Sequence, residues 1–201
     1  MSRRSFAASL GLAAMLASSQ AFGGVIVQNT GGPSFGIDIA FLGQSFTTPS
    51  GGPWDDVTFN FYSDLPPTTP TAAGTAFLLS KEYLGTPSNL SSSTPGFLGE
   101  STGITGGRYV FPAALELQPG NQYFVYGNRA LPEHTGGNSI SGGMEYITRL
   151  PWVNWVSADG LSANFTLSGD VVSGVPEPSP LMVSVTALLG FGLLQRYRAN
   201  G

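Results

Sequence analysis

The chain has 201 residues, a formal net charge of −4 at pH 7 and no cysteine. Disulfide frameworks and thiolate metal sites are therefore excluded, and the acidic balance argues against nucleic acid and anionic membrane surfaces as partners. With 28 glycines and 15 prolines, and no long stretch suited to an interior helix, the composition favours short strands between turns.

The first segment, Met1–Ala21, reads as a secretory signal peptide. Arg3 and Arg4 supply a charged start, Phe6–Ala17 an apolar stretch of the right short length, and Ser19, Gln20 and Ala21 small residues before a cut near Phe22. Ser2–Phe6 is similar to the twin-arginine export motif, so the general secretory and the twin-arginine routes both stay open.

Residues 22–174 are then the cargo, long enough to bury one core. They hold Lys81, Arg108, Arg129 and Arg149 against eleven carboxylates, a balance of −7. Without disulfides, packing alone must hold this domain. Short apolar-alternating runs recur between turn signals, which predicts an all-β, jelly-roll-like β-sandwich. Val25–Val27 opens it. Gly36–Phe41 alternates, with Ile37, Ile39 and Phe41 on one face, and Gln44–Thr47 is a second short strand. The clearest strand is Trp54–Ser63, where Val57, Phe59 and Phe61 face one way and Thr58, Asn60 and Tyr62 the other. Leu65–Gly74 is a loop rich in Pro and Thr, Thr75–Leu84 a more deeply buried strand, Ser88–Pro95 a turn, and Gly107–Phe111 another strand.

Leu117, Pro119 and Gly120 then lead to Tyr123 and an alternating strand. The pattern is similar to a tyrosine corner, in which the ring packs inside and its hydroxyl ties down the turn. Met144–Arg149, Trp152–Val156 and Leu161–Val172 complete roughly nine or ten strands.

The search for chemistry along this domain gives little. His134 is the one histidine; it falls in Pro132–Gly136, read as a loop, and no Gly-x-Ser-x-Gly elbow accompanies it. Zinc on one His and no Cys would need an uncommon carboxylate set, so no metal and no cofactor are expected. A calcium loop of the Asp-x-Asp-x-Asp-Gly type is missing, which leaves Asp38, Asp55 and Asp56 as isolated candidates. Glycoside hydrolysis needs two carboxylates across a cleft. Asp55 and Asp56 are adjacent and point to opposite faces of a strand, while Glu82, Glu100, Glu116, Glu145 and Asp159 read as solvated face residues. No catalytic residue is assigned. Trp54, Trp152 and Trp155 are the tryptophans, and sugar rings stack on exposed aromatics. Trp152 and Trp155, three apart, face oppositely in a straight strand, so one belongs to the core and the other to the surface; core and corner packing is the favoured reading, and a glycan contact at Trp152 or Trp155 the alternative.

The end of the chain carries the most specific pattern. Pro176, Pro178 and Pro180 alternate, which keeps Val175, Glu177 and Ser179 extended and makes a stiff linker presenting Glu177. The uncharged run Leu181–Leu194 follows, with Leu181, Leu188, Leu189, Phe191 and Leu194 among its apolar residues. As a single hydrophobic helix it covers about 21 Å at ~1.5 Å per residue, short of the roughly 30 Å hydrocarbon core. A thinned bilayer, with Arg196 and Arg198 snorkelling to the far interface, accommodates it. Those arginines also place the tail end in the cytoplasm and the cargo outside. A buried core helix has the same length, but the Pro-rich and basic flanks argue against it.

Val175-Pro176-Glu177-Pro178, a short hydrophobic segment and a basic end over residues 175–201 resemble the PEP-CTERM sorting signal of Gram-negative bacteria. The resemblance implies transient retention in the inner membrane, recognition of the Pro-Glu-Pro segment by an exosortase, removal of the tail, and residence at the cell surface or in an extracellular polysaccharide matrix. Gly43-Gln44-Ser45-Phe46 and Pro119-Gly120 before Tyr123 are also similar to other cargo domains of this kind, more weakly. The resulting expectation is an exported, non-enzymatic surface or matrix protein. A carbohydrate-binding module for extracellular polysaccharide is the alternative, and a secreted hydrolase a third.

Overall fold

The structure, a computed structural model, describes residues 23–31, 34–63, 70–136, 140–158 and 160–172. The expected signal peptide, the sorting motif Val175–Pro178, the hydrophobic run and the basic end all lie outside the described residues, as do Asp159 and the side chains of Asp38 and His134. Among the described residues fourteen strands follow one another: β1 (Gly24–Asn29), β2 (Ser34–Thr47), β3 (Trp54–Tyr62), β4 (Pro70–Thr71), β5 (Ala76–Leu79), β6 (Phe97–Glu100), β7 (Gly103–Thr105), β8 (Arg108–Val110), β9 (Gln122–Gly127), β10 (Leu131–Gly136), β11 (Met144–Thr148), β12 (Val156–Ala158), β13 (Ser162–Ala163) and β14 (Phe165–Val171). A single 3₁₀ turn, Pro87–Asn89, is the helical element, and no helix here is long and apolar enough to cross a membrane.

Two antiparallel sheets result. The first runs β1-β14-β3-β8-β7, with β4 beside β3; the second runs β12-β11-β2-β9-β5-β6, with β10 beside β2 and β13 beside β10. Alternation in β3 works as expected: Val57, Phe59 and Phe61 are buried between the sheets. From the second sheet Leu42 and Phe46 of β2, Leu78 of β5, and Tyr123 and Val125 of β9 meet them. Phe59 joins the layers, stacked on Phe165 of its own sheet at 5.3 Å and on Phe46 of the other at 6.4 Å between ring centres. Such ring pairs add about 0.5–1.5 kcal/mol beyond the area they bury.

β3 also carries a bulge. Ser168 of β14 pairs with Thr58 while Asp170 pairs with Asp55, so β3 has one residue more than its partner. Asp56 takes it up with φ of 46°, a left-handed conformation that Asp tolerates better than most residues. The extra residue lets Trp54 and Val57, three apart, both face inward.

Several expectations are corrected. Gly36–Phe41 and Gln44–Thr47 are one 14-residue strand, β2. The strand expected over Thr75–Leu84 ends at Leu79. Pro132–Gly136 is not a loop: it belongs to β10, which pairs with β2 and β13. Leu161–Val172 breaks at Asn164, with β13 in the second sheet and β14 in the first. The turn over 151–153 replaces most of the strand expected at Trp152–Val156, and β12 starts only at Val156. The tyrosine corner does form. Tyr123 is buried, and its Oη accepts a hydrogen bond from the Gln118 backbone N–H at 2.8 Å.

The bulge gives a test. Asp56→Gly should keep or raise stability, by up to about 1 kcal/mol, whereas Asp56→Val should lower it by about 1–2 kcal/mol through left-handed strain. Urea unfolding midpoints of the two variants measure this.

Candidate functional site

The second sheet buries side chains on both of its faces. Its inner residues join the core described above. Its outer residues, Phe41 of β2, Phe77 and Leu79 of β5, Phe124 and Tyr126 of β9 and Tyr146 of β11, form a second apolar cluster with Leu90 and Trp155. The residues between β5 and β6 and those between β11 and β12 lie over this face. They are tied together by Trp155 N–H to Gly85 O at 2.9 Å and Ser88 N–H to Pro151 O at 3.0 Å. Gly43 explains how the rings fit. It pairs with Tyr126 on one side and Tyr146 on the other, and a β-carbon there would run into the Tyr126 ring.

Rings consequently run in series across the face. Centres lie 6.1 Å apart for Phe124 and Tyr146, 5.4 Å for Tyr146 and Tyr126, and 5.1 Å for Tyr126 and Trp155. Their hydroxyls hold the overlying chain. The Tyr83 backbone N–H donates to Tyr126 Oη at 3.1 Å, and Tyr146 Oη donates to Glu82 Oε1 at 2.9 Å. Burial raises the pKa of both Tyr126 and Tyr146, and the Glu82 carboxylate raises that of Tyr146 further.

At the β9–β2–β11 end of this face lies an open groove of about 450 Å³ lined by Ser45, Glu82, Gln122, Phe124, Gly142, Gly143, Met144 and Tyr146. Ser45 Oγ accepts from the Met144 N–H at 2.9 Å, and Gln122 Nε2 donates to Gly142 O at 3.0 Å. Of these side chains Glu82 and Gln122 are exposed and Met144 is half-buried, whereas Ser45, Phe124 and Tyr146 are buried.

The sequence candidates fall apart in space. Trp54 is core and Trp155 is 3% exposed under the outer loops, which removes Trp155 as a ring for a sugar to stack on. Trp152, in the turn beside it, is 69% exposed. The expectation that these two residues divide between core and surface holds, although a turn rather than a strand separates them. Leu150, Val153, Val156 and Leu84 are exposed as well. Trp152 shares a turn with Leu150 and Val153, and Leu84 precedes the Gly85 that Trp155 binds.

Glu145 overturns the expectation of a solvated residue. It is 0% exposed, because Met144 and Tyr146 take the outer side of β11 and leave Glu145 on the inner side with Ile147. There it pairs with Gln44, whose Oε1 accepts the Ala163 N–H at 2.8 Å. Asp55 and Asp56 sit at the β3 bulge, where Asp170 of β14 is the register partner of Asp55, and among the described residues no group of three His, Asp or Glu is placed to hold a metal ion. The groove itself was missed by sequence reasoning, since its residues come from four distant segments. The one sequence signal near it was Gly43-Gln44-Ser45-Phe46. No family model, curated protein or solved structure matches the chain.

Two measurements test this face. Trp155→Ala should destabilise by about 3–5 kcal/mol, and Trp152→Ala should stay within about 0.5 kcal/mol of the parent, both read from urea midpoints. Raised tyrosine pKa values mean that above pH 10 the unfolded chain loses protons that folded Tyr126 and Tyr146 keep. Their contribution is complete below about pH 10 and declines above it. The urea midpoint should fall from pH 9 to 11, and Tyr146→Phe should make that fall shallower.

Proposed function

We propose that the chain is an exported, non-enzymatic surface or matrix protein: a jelly-roll-like sandwich sent out by its signal peptide, tethered through the PEP-CTERM-like tail in the inner membrane, and released when an exosortase acts at Val175–Pro178. The observation that best supports a tethered module is the position of the folded unit's ends. β1 and β14 are antiparallel neighbours, with Gly24 opposite Gly169, so the chain enters and leaves the first sheet at the same end.

A carbohydrate-binding role is the second reading, favoured by Trp152. A largely exposed indole on a short turn offers a flat apolar face at little cost in conformational entropy, and a polysaccharide matrix offers sugar rings to stack on it.

Intact mass of the native protein, recovered separately from membranes and from culture medium, tests the first reading. A released species starting near Phe22 and ending within residues 175–180 is the expected result. Retention of Leu181–Gly201 in every recovered form would make the tail a permanent anchor and remove the sorting interpretation.

A further inference from the structure

We infer that the two chain segments joined over the second sheet form a contact surface for a second copy of this chain. Leu150–Val153 is a turn, closed by the Val153 N–H donating to Leu150 O at 3.2 Å. Pro151 at its second position has its φ fixed by the ring. Thr148 Oγ1 donates toward Leu150 O at 3.4 Å and Val153 O at 3.3 Å, and the Ser88 N–H donates to Pro151 O. Two residues beyond the turn, buried Trp155 is tied to Gly85. The turn is therefore fixed on both sides, yet it holds Trp152 outward, 69% exposed.

The Gly85–Trp155 and Ser88–Pro151 bonds set the two segments antiparallel. Leu84 comes to one end of the resulting strip, and Leu150, Trp152 and Val153 to the other. All four are exposed, and together they offer on the order of 400 Å² of apolar surface, the size of the largest patch on an ordinary monomer. Val156, also exposed, pairs with Ile147 and belongs with it to the core side of the sheet. A standard interface takes about 800 Å² from each partner, a little over half of it apolar. The strip supplies most of that apolar share.

Charge decides between occupants. Residues 83–99 and 146–158 contain one charged residue, Arg149, whereas residues 22–174 carry four cations against eleven carboxylates. Two acidic domains repel each other over most of their surface; on this strip they meet with almost no charge to desolvate. An anionic lipid surface is drawn to clusters of Lys and Arg, which these segments lack. Sugar rings can stack on Trp152, but their hydroxyls find no partner on Leu84, Leu150 and Val153. A second copy brings the same four side chains, and a two-fold axis sets the strip against itself. The turn is already fixed, so association need not order it. This contact gives Trp152 a different use from the sugar reading.

The test is sedimentation equilibrium of the full chain in mild detergent between about 1 and 200 µM, the range of a modest interface. Trp152→Asp, Val153→Asp and Val25→Asp are compared with the parent, thermal unfolding confirming that each stays folded. Val25, 58% exposed on β1 of the first sheet, is the control. The inference expects a reversible dimer, weakened at least tenfold by Trp152→Asp and by Val153→Asp, which place like charges near the axis, and unchanged by Val25→Asp. Trp54 and Trp155 are buried, so a blue shift of the indole emission on concentration reports Trp152. A monomer at every concentration overturns the inference. Association that survives both changes in the strip also overturns it and moves the contact to the tail or to another face. A monomer whose emission shifts blue with a neutral glucan, or with phosphatidylglycerol vesicles, overturns it in favour of sugar or lipid.

Discussion

Four consecutive residues of β2 reach both layers of this protein, and the rest of the fold depends on their placement. Phe46 packs inward against Phe59, Tyr123 and Phe165, joining the two sheets. Gln44, also inward, accepts the Ala163 N–H at the point where the chain prepares to cross from one sheet to the other. Gly43 faces outward and leaves room for Tyr126 and Tyr146, while Ser45 fixes the Met144 backbone and borders the groove. A side chain at position 43, or a smaller one at 46, disturbs one layer each. A one-residue slip disturbs both.

Tyrosines take over the fastening that a disulfide provides in many small domains. Tyr109 Oη donates to Ala73 O and accepts from the Ala73 N–H; Tyr123 holds Gln118, Tyr126 holds Tyr83, and Tyr146 holds Glu82. In each case a ring anchored in an apolar cluster extends its one polar atom to a loop. The body of the side chain gains from burial, and the hydroxyl satisfies a group on chain that would otherwise depend on water. These contacts also order the chain beside the proposed contact surface.

What could be read in advance follows from what periodicity reports. β3 and β9 were legible because one face of each, Val57, Phe59 and Phe61 or Tyr123 and Val125, repeats every second residue. β5 announced its burial by being apolar throughout, as a strand covered on both faces must be. Gly43 misled, since glycine inside a strand pattern suggests an interruption, whereas here it seats two rings supplied by other strands. The step at Asn164 was invisible because Ala163 and Phe165 are inward residues on both sides of the crossing. Glu145 was misread for a related reason: whether a carboxylate lies inside depends on Gln44, a hundred residues earlier. The same applies to the groove, whose Ser45, Glu82, Gln122 and Tyr146 meet only after the second sheet has formed. Of the sugar-facing candidates, spacing alone separated Trp152 from Trp155.

The proposed self-association makes the second sheet the contact side and the first sheet the attachment side. Amide hydrogen exchange of the protein, diluted and concentrated, tests that division most directly. The account predicts added protection on concentration in the backbone around Leu84–Asn89 and Arg149–Trp155, with β1, β3 and β14 unchanged. Added protection confined to the outer face of the first sheet, around Thr58–Tyr62 and Thr166–Ser168, or no added protection in either sheet, would contradict it.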